Sequence, residues 1–314
     1  MVAVAWMKIK VRMKTNNANV RYKSFLRDRR KRIDALLNRY LQKITQGSPK
    51  NLAKAMRYSV LGGGKRIRSL LIYAVGEIYK TDLKVLDAPA VAIEMIHSFS
   101  LIHDDLPAMD DDSLRRGKPT CHIAFDEATA ILAGDALAIG AFQVLSEAKN
   151  LSAEKKAKMI KVLAEASGPR GMAGGQYIDL HAEGKKLSVD KLEQMYLLKT
   201  GVLIGAAIKL GALASDISGQ KELKHLEQFA LNIGLAFQIQ DDVLNIESNA
   251  TRLGKNVGTD EEHNKFTYPA LVGMSAAKAK IKNLWSKAEK SLQQLKLENS
   301  ILQLLTTSIM QRDF

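Results

Sequence analysis

Two aspartate-rich segments begin 137 residues apart in this chain: Asp104-Asp105-Leu106-Pro107-Ala108-Met109-Asp110-Asp111-Asp112 and Asp241-Asp242-Val243-Leu244-Asn245. Each closes a run of apolar, helix-like sequence, Phe99-Ser100-Leu101-Ile102-His103 before the first and Ala236-Phe237-Gln238-Ile239-Gln240 before the second. Like charges repel, and ionised carboxylates lose hydration on burial, so a fold that gathers them needs a counter-charge. Hard oxygen donors of this kind select a divalent cation, above all Mg²⁺. The natural partner of that ion is a phosphate-bearing substrate. The fold must therefore carry acid pairs at the ends of apolar helices.

The rest of the sequence is consistent with an all-α protein. Strong helix formers recur throughout, only 6 of 314 residues are Pro, and no long β-branched stretch alternates with period two. Ile33, Leu36, Leu37, Tyr40, Leu41 and Ile44 share one helical face. Helices are expected over 50–61, 66–79, 88–106, 127–147, 189–214 and 222–247, with Asp87 capping the third and Gly62-Gly63-Gly64 ending the first. No linker divides the chain, so one helical domain over 25–314 is expected, after a basic extension over 1–24. Residues 1–43 hold thirteen Lys and Arg against two Asp, which is +11 of the +14 formal charge. The basic balance thus belongs to one terminus and does not call for a nucleic-acid partner. The single Cys121 excludes an intramolecular disulfide and a cysteine-rich metal site, and fits a reducing compartment. The apolar stretch from Ala128 to Leu145 contains Asp135, so neither a membrane span nor stable membrane insertion is expected, and a cytoplasmic location is.

Asp104 and Asp110 are six residues apart, about 120° off a shared helical face, so a local distortion near Pro107 is needed to join them. Asp241 and Asn245 are four apart and share a face unaided. Helix C-termini add negative potential that favours cations. Gly62-Gly63-Gly64-Lys65-Arg66-Ile67-Arg68 resembles a phosphate cradle only loosely, because it lacks the P-loop ending. Lys65 and Arg68 are three apart and can face one anion. Arg115 and Arg116 follow the first acidic cluster, and Lys199, Lys255 and Lys265 lie near other candidates. His97 precedes Asp104 by two helical turns on nearly the same side.

Taken in order, these segments resemble the short-chain trans-prenyltransferases, and among them the bacterial farnesyl diphosphate synthases. Asp104 to Asp110 is similar to the family's first aspartate-rich motif with the two-residue insertion of bacterial members, and Asp241 to Asn245 to its second. Gly63-Gly64-Lys65-Arg66-Ile67-Arg68, Leu114-Arg115-Arg116-Gly117, Gly174-Gly175-Gln176-Tyr177-Ile178-Asp179, Lys199-Thr200, Phe237-Gln238 and Thr267-Tyr268-Pro269 also match in order. The resemblance covers roughly residues 25–300. It departs at Ser69, where the family usually has Pro, at Asn245, where it usually has an acid, and at Asn264-Lys265-Phe266, where it usually has Gly-Lys-Ser.

The resemblance implies the isoprenoid synthase fold, a single large helical bundle around a central cavity, and a homodimer. It implies condensation of isopentenyl diphosphate with dimethylallyl and then geranyl diphosphate. Asp104, Asp105, Asp110, Asp111 and Asp241 would hold Mg²⁺, three ions with the allylic diphosphate. Arg115, Lys199, Thr200, Gln238, Lys255 and Lys265 would serve the allylic substrate and its departing diphosphate. Gly64, Lys65, Arg68, His97 and Arg116 would hold isopentenyl diphosphate. Phe99, with Ser100 and Ile96 along the same helix, would limit the product to C15. Geranylgeranyl diphosphate synthesis is the alternative, and a class I terpene cyclase a more distant one, against which the second aspartate pair, Lys65 and Arg68 argue.

Overall fold

A computed structural model describes residues 16–182, 184–185, 187–217, 219–253 and 267–311. In chain order these form α1 (Asn16–Ile44), α2 (Lys50–Leu61), α3 (Ile67–Ile78) and α4 (Leu83–Asp104), then a hairpin of β1 (Leu114–Arg115) and β2 (Lys118–Pro119). There follow α5 (Cys121–Ala124), α6 (Glu127–Ser146), α7 (Ala153–Ser167), α8 (Met172–His181), α9 (Val189–Tyr196) and a π-helical turn (Leu197–Gly201). The chain continues through α10 (Val202–Ala214), α11 (Gln220–Leu253), α12 (Tyr268–Val272), α13 (Met274–Gln294) and α14 (Ile301–Gln311). The fold is the expected helical one, with the small hairpin as an addition.

Helix ends follow local chemistry. Asp126, Ser152 and Ser188 cap α6, α7 and α9 by accepting from the backbone N–H three residues on. The α4 cap differs from expectation. Asp82 takes that role through Lys84 N–H, and the helix begins five residues earlier than its sequence signal. Asp87 is instead buried inside α4, where it accepts from Arg32 Nε at 2.7 Å, Arg32 Nη2 at 2.6 Å and Tyr73 Oη at 3.0 Å. A bidentate guanidinium partner makes that burial tolerable. α1 begins at Asn16, inside the segment expected to precede the body.

The chain divides into two compact units. One comprises the sequence up to Leu151 together with Leu297–Ser308. Its centre is α4, packed against α3 and α6. Small residues allow the approach: a Cβ at Gly76 would meet Leu86 at 2.2 Å, and one at Gly140 would meet Met95 at 2.8 Å and Ile44 at 3.0 Å. Leu70, Ile72, Tyr73, Ala90, Val91 and Ile93 are fully buried there. Full burial of a large aliphatic side chain contributes about 1.5–3 kcal/mol. The other unit comprises Ser152–Lys296 and the segment beginning at Ile309. In it α11 packs against α10, the π-helical turn and α13. Leu192, Tyr196, Ile239, Val243, Tyr268 and Ile281 form its apolar cluster.

The expectation of no span-like segment needs correction. Leu83–Asp104, Glu127–Ser146 and Val189–Ala214 are each long and apolar enough to cross a membrane by length and composition. A single acid such as Asp135 does not offset twenty residues of otherwise apolar helix. In α4 that apolar character is spent on packing, with 78% of its most apolar window buried inside the protein, whereas for α6 the figure is 44%.

Candidate active site

In the first unit, α4 ends at Asp104 and the chain turns back on itself. The Asp110 N–H donates to the Asp104 carbonyl at 2.9 Å, and Met109 and Asp111 N–H both donate to Leu106 O. Asp111 adopts φ 51°. The 120° mismatch between Asp104 and Asp110 is therefore resolved by helix termination and a tight turn, not by a bulge within a continuing helix. Asp104 and Asp110 are partly exposed, and Asp111 is exposed. Asp105 is only 3% exposed and accepts from Arg115 Nε at 2.6 Å. Burial raises the Asp105 pKa, while Arg115 opposes that shift. Arg115 also reaches Asp112 at 3.1 Å. Asp105 thus orients Arg115.

The hairpin aims the second arginine. Arg116 and Gly117, both at positive φ (55° and 74°), form its two-residue turn, which matches the twist of paired strands. The Arg116 guanidinium then donates to the Gly63 carbonyl. A Cβ on Gly64 would lie 2.7 Å from Arg116 Nη1, so glycine is required for this approach as well as for its φ of 129°. Arg66 follows in the left-handed conformation (φ 55°, ψ 33°). Its buried guanidinium donates to Asp34 at 2.9 Å and to Val60 O at 2.8 Å, and lies 3.5 Å from buried Glu94. Glu94 also accepts from Ser69 N–H at 3.1 Å. Proline, the usual residue there, has no such donor, so this departure adds a bond in the first turn of α3.

That framework surrounds Arg68 and His97. Arg68 Nε and His97 Nδ1 are both buried without a hydrogen-bond partner among the described residues. Burial pushes Arg68 down to about 10, with Arg116 acting in the same direction and Glu94 against it. Burial, then Arg68, Arg116, Arg66 and Arg115, holds the His97 pKa well below its usual value. Several cations held together, with two orphaned nitrogens among them, describe a receptor for an anion. Lys65 is exposed at the mouth of the same loop. Further back along α4, the Phe99 ring meets His103 edge-on at 4.8 Å, Ser100 Oγ donates to His97 O, and Ile96 is fully buried.

In the second unit two glycine contacts set the geometry. A Cβ on Gly175 would lie 2.2 Å from Lys199 N, and one on Gly234 would lie 2.6 Å from Gly201 Cα. The first contact seats α8 on the π-helical turn, and one turn further along α8 Asp179 accepts from Lys199 Nζ at 2.6 Å. The second seats the turn on α11, and one turn further along α11 Gln238 Oε1 accepts from Thr200 Oγ1 at 2.9 Å. Asp179, Lys199, Gln238, Asp241, Asp242 and Asn245 line a cavity of about 170 Å³. Buried Asp242 accepts from Tyr196 Oη and from Tyr268 N–H at 2.8 Å. Burial and then the Asp242 charge raise the Tyr196 pKa, so its hydroxyl stays a donor. Asp242 therefore fixes the end of the motif, while Asp241 faces the cavity beside Asn245.

Lys255 and Lys265, with the Asn264-Lys265-Phe266 departure, lie outside the described residues. Among the described residues no three His, Cys, Asp or Glu side chains converge on one metal position. Asp104 and Asp110 in one unit are partly exposed hard oxygen donors, and Asp241 and Asn245 line the cavity of the other. Each pair by itself is the kind of donor set that suits Mg²⁺, which takes one or two carboxylates and completes its shell with water and substrate phosphate. Sequence reasoning assigned no role to Asp34, Arg66, Glu94, Asp179, Tyr196 or Asp242. Only Arg66, Asp179 and Asp242 had a visible signal, inside motifs already noticed.

The comparisons with known proteins agree with this chemistry. Residues 49–304 match the polyprenyl synthetase family model. The chain is 47% identical over 289 residues to farnesyl diphosphate synthase of Escherichia coli K12, covering 90% of this chain and 96% of that one. It superposes on a geranyltransferase of Legionella pneumophila with TM-score 0.84 at 34% identity, covering 95% and 99% of the two chains. A Helicobacter pylori geranyltransferase complexed with magnesium and isoprenyl diphosphate gives TM-score 0.75 at 31% identity, covering 92% and 96%. With its aspartate motifs, its arginine hairpin and its glycine-lined cationic loop all in family order, the chain belongs to the polyprenyl synthetase family.

Proposed function

We propose that the protein is a farnesyl diphosphate synthase, joining isopentenyl diphosphate to dimethylallyl diphosphate and then to geranyl diphosphate. The carrying observation is the anion receptor built by Arg68, His97 and Arg116, whose orphaned nitrogens match the diphosphate of isopentenyl diphosphate. His97 is neutral at pH 7 and supplies a hydrogen bond without adding charge.

Asp104, Asp110 and Asp241 supply carboxylates to Mg²⁺, with Asp111 and Asn245 in support. Bound Mg²⁺ provides the charge that stabilises the leaving diphosphate. Arg115, oriented by Asp105, and Lys199, held by Asp179, add positive charge on the allylic side. Lys255 and Lys265 are proposed to join them. Thr200 and Gln238 bind the same substrate beside Lys199. The allylic C–O bond breaks and its electron pair leaves with diphosphate. The π pair of isopentenyl diphosphate then forms the new C–C bond, and the released diphosphate takes the proton lost from the adjacent carbon. Phe99 blocks extension beyond C15. Three Mg²⁺ ions, a cytoplasmic location and residues 25–314 as the working enzyme complete the proposal. A homodimer is proposed through α6, whose Ile131, Leu132 and Ile139 are exposed. Light scattering giving only monomer at micromolar concentration would refute that assembly.

Arg68→Met tests the receptor. Losing charge-assisted hydrogen bonds worth about 1.5–3 kcal/mol predicts a KM for isopentenyl diphosphate raised roughly 10- to 150-fold. The KM for geranyl diphosphate should stay within about twofold, since additivity between separate sites holds to a few tenths of a kcal/mol. Equal effects on both substrates would overturn the assignment.

A further inference from the structure

Gln176 has no role in the chemistry above, yet it lies one residue after the Gly175 contact. It is 8% exposed, and both its Nε2 and Oε1 atoms are buried without a hydrogen-bond partner among the described residues. A buried amide left unmatched on both atoms is unfavourable unless another state of the protein matches it. Three residues further along α8 is Asp179, a spacing at which Gln and Asp side chains are helical neighbours able to hydrogen-bond. In this structure the Asp179 carboxylate accepts from Lys199 instead, at 2.6 Å. Asp179 is 9% exposed, so losing its ammonium partner weakens the charge balance of a buried carboxylate, which a neighbouring amide donor partly restores.

We propose that Gln176 is a positioning residue for Lys199. When Lys199 turns from Asp179 to a diphosphate, the Gln176 amide donates to Asp179 in its place. The inference rests on the reading of Lys199 as a diphosphate ligand. The contact of Gly175 with the Lys199 backbone fixes α8 against the π-helical turn, so the exchange needs side-chain rotation only. Before exchange the amide is unmatched and the ion pair is closed. After exchange the amide is matched and the ammonium is free for substrate. The orphaned amide therefore offsets the cost of opening the ion pair.

Gln176→Met keeps side-chain length and removes both polar atoms. Thermal unfolding of the ligand-free protein should give a Tm equal to or above the parent's, because an unmatched amide has been replaced by an apolar group. The KM for dimethylallyl diphosphate and the calorimetric Kd for inorganic diphosphate with Mg²⁺ should both rise about tenfold, the equivalent of one hydrogen bond. The KM for isopentenyl diphosphate should not change. In an Asp179→Asn background the effect of Gln176→Met should shrink to about twofold or less, since the pair is coupled. A lowered Tm in both Gln176→Met and Gln176→Leu, or a failure of both to fold, would show that the amide has a structural partner and would overturn the exchange. An unchanged Kd for diphosphate would overturn it too. The Tm and diphosphate measurements decide the exchange even if the parent fails to elongate an allylic substrate, a result that would instead refute the proposed function.

Discussion

Tyr196→Phe removes one hydroxyl and nothing else, at the point where the second aspartate motif is anchored. Asp242 is 6% exposed and has Tyr196 Oη and Tyr268 N–H as donors to the same oxygen. The variant removes the hydroxyl donor and keeps the Tyr268 N–H, at 2.8 Å. A hydrogen bond to a buried charged group contributes about 1.5–3 kcal/mol. At about 2–4 °C per kcal/mol for a domain of this size, Tm should fall by roughly 3–12 °C. The loss also loosens the end of the motif that presents Asp241 to the cavity. The Mg²⁺ concentration giving half-maximal rate should therefore rise several-fold, with the KM for isopentenyl diphosphate unchanged because its receptor belongs to the other unit. Differential scanning fluorimetry and a Mg²⁺ titration of initial rates measure the two effects. A Tm within about 1 °C of the parent with an unchanged Mg²⁺ midpoint would refute the anchoring role.

Asp104→Ala should lower turnover by roughly 10²–10³, or about 3–4 kcal/mol, through loss of transition-state electrostatics, with helical circular dichroism retained; normal kinetics would exclude Asp104 from the site. Phe99→Ala should shift the product from C15 toward C20 on chromatography, because the ring lies five residues, about 7.5 Å along the helix, from Asp104; unchanged C15 would place the floor elsewhere, at Ile96 or Met95. His97 sets a pH dependence of stability. Its pKa is depressed in the folded state, so below about pH 6.5 the unfolded chain binds the extra proton and stability falls as pH falls. The acid-side decline in Tm should be shallower in His97→Phe, and identical slopes would contradict the depressed value.

Most helices and the content of both aspartate motifs were legible in the sequence, because apolar periodicity, glycine breaks and Ser or Asp caps act locally. What was not legible depends on partners far along the chain. Asp87 reads as a cap, yet it is buried by Arg32, 55 residues away. Leu197-Leu198-Lys199-Thr200-Gly201 reads as ordinary helix, but the structure makes it a π-helical turn in close contact with Gly175 and Gly234. The hairpin turn at Arg116-Gly117 was not anticipated, although a residue-glycine pair between short extended segments is a hairpin signal. Asp105 was grouped with the metal-binding acids and Asp242 was given no role, because sequence spacing cannot tell which acid of a pair meets Arg115 or Tyr196.

The central claim is a chain-length-limited condensation, and a single incubation tests it. Purified protein is supplied with Mg²⁺, dimethylallyl diphosphate and labelled isopentenyl diphosphate, and the products are dephosphorylated and sized. The account predicts a labelled C15 alcohol as the main product, abolished by chelation and restored by Mg²⁺. A main product of C20 would contradict the C15 assignment, and a cyclic hydrocarbon or no incorporation of label would contradict the function itself.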